Sequence, residues 1–167
     1  LFKLLAVALR LRPERRVILT ESGNFPTDGY IANSLATLLA AGHEVKAVAA
    51  DKLAGALDES VAVLLLTEVN YRTGARLDMR ALTAAAHAAG ALTLWDLCHS
   101  AGALPVERGG AAADFAVGCG YKYRKGGPGA PSFVEGAPHH LPGLRQPLSG
   151  LLGHARRFAF APDYERH

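Results

Sequence analysis

The stretch Val61-Ala62-Val63-Leu64-Leu65-Leu66 decides the fold class. Six consecutive apolar residues leave no polar face. That suits a parallel strand covered on both sides better than an alternating strand with one wet face. The run is also far too short to span a bilayer. Working outward, residues 16–20 and 43–49 read as strands upstream of it, and 91–95 and 114–117 as strands downstream. Pro131-Ser132-Phe133-Val134 reads as one more, at a sheet edge because proline cannot donate to a ladder. Between them lie helical periods. Residues 1–11 form the first, closed by Pro13. A second follows Asp28, with Ile31, Leu35, Leu38 and Leu39 on one face and Gly42 as its left-handed stop. A short helix is expected over 51–57, and another over 79–89, N-capped by Asp78 and stopped by Gly90. Strands alternating with helices predict an α/β fold, a mostly parallel sheet flanked by helices.

At 167 residues the chain fits one domain with a real core. Residues 1–135 are read as that core. Residues 136–167, rich in proline and glycine, are read as a tail leading toward a further domain, with little core of its own. Half of the residues are hydrophobic and a fifth charged, which excludes a disordered or membrane class. The net charge of +3 is small and scattered, so neither nucleic acid nor a membrane surface is expected as a partner. Cys98 and Cys119 make no CxxC pair and read as free thiols of a reduced, cytoplasmic compartment. The seven histidines show no metal-ligand spacing, so no metal is expected. The chain starts without Met inside a helical pattern, and is read as a piece of a longer protein whose isolated form is poorly soluble and inactive.

In open α/β sheets, ligands bind beyond the carboxyl ends of the strands. The polar loops following the strands carry Asn24 to Asp28, Thr67, Asp96 with His99, and Tyr121 with Lys122. The last pair lies in Gly118-Cys119-Gly120-Tyr121-Lys122-Tyr123-Arg124-Lys125-Gly126-Gly127-Pro128-Gly129-Ala130-Pro131, directly after a buried strand. An acid at one strand end, a histidine nearby and a lysine at a later strand end suggest pyridoxal phosphate chemistry. The lysine forms the Schiff base and the aspartate pairs with the pyridinium nitrogen. On position, Lys125 competes with Lys122 for that role. Asp96 has a plain alternative as a turn residue, and Asp28 as a first-turn carboxylate favoured by the helix dipole. Phe25 reads either as a staple for the next helix or as a ring stacked on a planar cofactor. The glycines around Lys122 do not make a nucleotide loop, because the third glycine of a dinucleotide fingerprint is missing and no GxxxxGK[ST] occurs.

Four ordered motifs together resemble the kynureninase family of fold-type I pyridoxal-phosphate enzymes. They are Asn24-Phe25-Pro26-Thr27-Asp28, Val69-Asn70-Tyr71-Arg72-Thr73-Gly74, Trp95-Asp96-Leu97-Cys98-His99-Ser100-Ala101-Gly102 and the lysine-bearing stretch 118–131. The resemblance implies pyridoxal 5'-phosphate bound by Phe25, Pro26, Thr27, Asp28, Thr67, Asp96, His99, Tyr121 and Lys122. Lys122 would be the Schiff-base residue, and Tyr121 would reach the cofactor phosphate and assist proton transfer. It further implies a homodimer and hydrolysis of L-kynurenine, or its 3-hydroxy form, to anthranilate (or 3-hydroxyanthranilate) and L-alanine, in tryptophan catabolism. Arg124-Lys125 stands where the family has Leu-Asn. Ser149-Gly150-Leu151-Leu152-Gly153-His154 has Leu151 where the family places the tryptophan that contacts the partner subunit's cofactor. The family chain is more than twice as long. Rival expectations are a cysteine desulfurase-like or aminotransferase-like enzyme, and a non-catalytic remnant.

Overall fold

The computed structural model describes residues 1–107 and 109–165. Its centre is a six-stranded sheet of β1 (Val17–Glu21), β2 (Glu44–Val48), β3 (Val61–Thr67), β4 (Leu92–Asp96), β5 (Phe115–Gly118) and β6 (Phe133–Gly136), in the order β2-β1-β3-β4-β5-β6. The first five run parallel and β6 is antiparallel to β5 at the edge. Every residue of β3 is buried, as its unbroken apolar run requires.

Successive side chains leave a strand on opposite faces, and here both faces are dry. Ile18, Val63, Leu65, Leu92, Leu94 and Phe115 point into a core closed by α1 (Phe2–Leu11) and α2 (Pro26–Leu39). Val17, Leu19, Leu64, Leu66, Trp95 and Ala116 point into a second core with Leu53 and Met79 and Ala86 of α3 (Met79–Ala88). The Asp78 carboxylate accepts from Ala81 N at 2.9 Å and caps α3, and Gly90 follows its end at φ +78°.

Three local expectations are corrected. Residues 51–57 are not an α-helix but two 3₁₀ turns, Ala50–Lys52 and Ala54–Ala56. A segment so short cannot offset the cost of α-helix nucleation, and Gly55 weakens it further. α2 ends earlier than Gly42 implies, because Ala40 itself takes the left-handed conformation at φ +48°. That helix buries Asp28, Ala32, Leu35 and Ala36, leaving Leu38 69% exposed; its small residues let the backbone sit close to the core. The edge strand begins at Phe133 rather than Pro131. After β6 the tail makes a 3₁₀ turn over Pro138–Gly143 and returns along α1. There Lys3 Nζ donates to Leu148 O (3.0 Å), and Leu144 packs on the first core.

Candidate active site

Because β1, β3, β4 and β5 are parallel, their carboxyl ends Glu21, Thr67, Asp96 and Gly118 share one edge of the sheet. The loops leaving that edge build a single site.

Lys122 sits in a tight turn closed by Lys125 N to Lys122 O and Gly126 N to Gly120 O, both 2.9 Å. Gly102, at φ +91°, lets the preceding loop press against this turn. A Cβ there would meet Tyr123 O at 2.7 Å, so only glycine permits the approach. The turn aims the Lys122 amine inward. Its Nζ is 2.7 Å from His99 Nε2, 5.4 Å from the Phe25 ring centre and 5.7 Å from that of Tyr121. Lys125 is exposed on the outside of the same turn. Of the two lysines that compete on position, Lys122 is the one whose amine faces His99 and Phe25.

His99 lies on the helical turn after β4, held by Ser100 N and Ala101 N donating to Leu97 O. Burial first, and then the charge of Lys122, lower the His99 pKa. The imidazole is therefore neutral, and the Lys122 ammonium donates to Nε2. Asp96 is buried at the end of β4, and its Oδ1 accepts from Cys98 N at 2.8 Å. The turn reading of Asp96 thus holds. Burial, followed by the Asp96 carboxylate, pushes the Cys98 thiol pKa up, so this cysteine is no nucleophile.

Asp28 is buried in the first turn of α2, where the dipole favours an anion. Desolvation and the facing charge of Asp96 win instead, raising its pKa to about 7. Pro26 and Thr27 begin the same helix on its exposed side. Tyr121 is 52% exposed beside Lys122.

Two residues of this arrangement carried no role in the sequence reading. Asn24 ties three elements together. Its Nδ2 donates to Thr20 Oγ1 (3.0 Å), while its Oδ1 accepts from Phe25 N (2.7 Å) and from Thr67 Oγ1. Thr67 therefore serves the site by fixing Phe25. Tyr71 meets the Phe25 ring edge-on at 5.2 Å and 90°, and lies 6.4 Å from the His99 ring. Asn70 makes that possible by accepting from Arg72 N and Thr73 N and donating to Gly23 O. The visible signal was an aromatic one residue after an Asx-turn former at a strand end. A cleft of about 410 Å³ opens beside these residues, lined by Asn24, Pro26, Asn70, Tyr71 and Arg72 among others, a volume suited to a small molecule.

Buried polar atoms with no partner cluster here too: Asp28 Oδ2, His99 Nδ1 and Ser100 Oγ. Orphaned groups are costly to bury, so a site holding three of them beside an amine is built to receive a polar ligand.

The chain is 52% identical to kynureninase of Pseudomonas fluorescens over 170 residues, covering 99% of this chain and 41% of that protein. It is 56% identical to kynureninase of Deinococcus radiodurans over 163 residues, covering 98% of this chain and 39% of that one. The chain thus spans about two-fifths of the length of these curated relatives. Among solved structures, an apo cysteine desulfurase of Thermococcus onnurineus superposes with a TM-score of 0.76 at 21% identity, over 89% of this chain and 38% of that one. An alanine–glyoxylate aminotransferase of Nostoc sp. gives 0.64 at 21%, over 85% and 40%. At those identities the likeness is one of fold. The aminotransferase class-V sequence profile matches residues 6–130, three quarters of the chain and every residue of the site just described, and the chain belongs to that family.

Proposed function

We propose that the protein containing this chain is a kynureninase, hydrolysing L-kynurenine or 3-hydroxykynurenine to the corresponding anthranilate and L-alanine. The observation that carries this reading is the 52–56% identity to kynureninases over 98–99% of the chain, the span that holds all four site loops.

The family's cofactor is pyridoxal 5'-phosphate, and the residues present fit it. The buried Asp96 carboxylate suits a protonated ring nitrogen, the Phe25 ring a planar face, and the Lys122 amine an aldehyde carbon. The unpartnered Asp28 Oδ2, His99 Nδ1 and Ser100 Oγ suit its polar substituents. When bound, the cofactor supplies an electron-withdrawing ring that lowers the cost of removing a proton from the carbon bearing the substrate amine.

The chain's own residues supply the proton handling. His99 Nε2, 2.7 Å from Lys122 Nζ, holds the amine where it can act as a nucleophile. Once neutral, Lys122 is the base that collects and returns a proton at the substrate. The Phe25 and Tyr121 rings, 5.4 and 5.7 Å from Nζ, flank the amine and hold it in position. Tyr121, half in solvent, is placed to relay protons between the amine and water, as a hydrolysis requires. Asp28 holds a proton up to about pH 7 and so spares the site a second negative charge beside Asp96. The Phe25–Tyr71 edge contact and the Asn24 brace fix the aromatic wall. Pro26 and Thr27 line the same turn.

We place the whole protein in the cytoplasm as a homodimer. The free thiols of Cys98 and Cys119 support a reducing compartment. Exposed Leu151, Leu152, Phe158 and Phe160 on the tail support a second copy covering that face. The test is the full-length protein with pyridoxal 5'-phosphate and L-kynurenine, read by anthranilate fluorescence and the visible absorption of bound cofactor. Both signals are expected to vanish in Lys122→Ala and to persist in Lys125→Ala. Absence of anthranilate from the wild-type protein overturns the reading.

A further inference from the structure

Asp114 precedes β5 at the opposite end of the strand from Lys122, four residues or roughly 13 Å from Gly118. Three histidines surround it. Asp114 Oδ1 is 2.7 Å from His140 Nε2 and 4.0 Å from His139 Nε2, while Oδ2 is 2.8 Å from His87 Nε2. The ligating atoms of Asp114, His139 and His140 all lie within 4.8 Å of one another. They come from distant parts of the chain. Ala137 N donates to Asp114 O at 2.7 Å, and the 3₁₀ turn Pro138–Gly143 then folds the two histidines over the carboxylate.

We propose that Asp114, His139 and His140 form a binding site for a divalent transition-metal ion of the zinc class, separate from the cofactor site. Two imidazoles and one carboxylate are the donors that such ions prefer. At metal–ligand distances of about 2.0–2.2 Å, neighbouring ligand atoms sit roughly 3 to 3.5 Å apart. Opening the 2.7 Å pair slightly and closing the 4.0 Å pair slightly yields that spacing. His139 is the mobile partner, since its side chain is 67% exposed. The surroundings already orient the ligands. Asp114 Oδ2 accepts from Thr93 N (2.8 Å) and Thr93 Oγ1 (3.1 Å) besides facing His87, which turns Oδ1 toward the two tail histidines. The His140 ring is stacked on Phe115 at 5.2 Å and 25°, which fixes its Nε2. Such outer contacts are what metal sites use to hold ligands in place. The exposed side of His139 gives an ion an entry path and leaves a position for water. An ion here fastens the start of the tail to the amino end of the sheet.

The experiment titrates the full-length holoenzyme with zinc by calorimetry and with cobalt(II) by visible absorption. One ion per chain is expected at this site, with cobalt bands lacking thiolate charge transfer and a zinc-dependent rise in melting temperature. The His139 side chain is 67% exposed, so His139→Ala is expected to keep the fold. It is expected to weaken binding at least tenfold, since loss of an outer-shell partner alone costs 10–100-fold. His140→Ala is expected to remove binding. Absence of saturable binding overturns the site, as does zinc affinity unchanged in His139→Ala. A thiolate charge-transfer band, which would put the ion on a cysteine, overturns it as well. These readouts do not depend on turnover, so kynureninase activity can fail or hold independently.

Discussion

Lys125 holds φ at +59°, a left-handed conformation that costs an ordinary L-residue roughly 1–2 kcal/mol relative to glycine. Asparagine tolerates that conformation better than lysine does, and the family pattern noted above has asparagine at this position. The departure at Arg124-Lys125 therefore carries a local strain at Lys125, three residues after Lys122, accepted because the turn is fixed by its bonds to Lys122 O and Gly120 O. Lys125→Gly is expected to raise the unfolding free energy by about 1 kcal/mol, measured by urea denaturation. Lys125→Ala keeps the strain and is expected to change little. Equal effects of the two substitutions would place the strain elsewhere. Here the sequence showed two lysines in one glycine-rich turn. Which of them faced inward depended on backbone dihedrals that no residue pattern encodes.

Elements were easier to read than their faces. β3 announced itself because a strand dry on both sides has no reason to alternate, and Asp78 and Gly90 bracketed α3 through capping chemistry alone. α2 was misread on its exposed face. Leu38 and Leu39 look like core, yet the helix docks through Ala32, Leu35 and Ala36. Helical periodicity records which positions are apolar, and tertiary contact decides which of them are used. α3 offers a sharper test of such contact. The Trp95 indole N–H donates to Thr83 Oγ1 at 3.1 Å, with both residues fully enclosed in the second core. Thr83→Val keeps the shape and deletes the acceptor, leaving a buried donor unsatisfied. A loss of about 1–3 kcal/mol is expected. Trp95 is the sole tryptophan, so its fluorescence reports the same transition directly. A loss below about 0.5 kcal/mol, the range of an ordinary surface change, would mean the indole finds another partner.

At the scale of the molecule, four of the parallel strands gather the site, and that much followed from strand–helix alternation and the rule that ligands bind beyond strand carboxyl ends. The braces of the site were less legible. Asn24, Thr67 and Tyr71 act across 43 and more residues of chain, and the Asp114 cluster joins positions separated by over 20. Spacing rules see only neighbours. The same long-range convergence gives the whole chain a distinctive response to pH. Asp28 lies in α2 and Asp96 ends β4, and the fold forces these carboxylates together in a dry region. Burial first, then Asp96, raises the Asp28 pKa from 3.8 to about 7. A carboxyl group with a raised folded pKa favours the folded state most at low pH. Its contribution is fully present below about 3.8 and is lost as pH climbs through 7. At about 1.4 kcal/mol per pH unit, the loss over that window is on the order of 4 kcal/mol. Asp28→Asn cannot ionise and is expected to flatten this slope, making the variant more stable than wild type at pH 8 and similar to it near pH 4. Parallel stability curves for wild type and Asp28→Asn between pH 4 and 8, from denaturant titrations, would show that the paired carboxylates do not govern the chain's acid response.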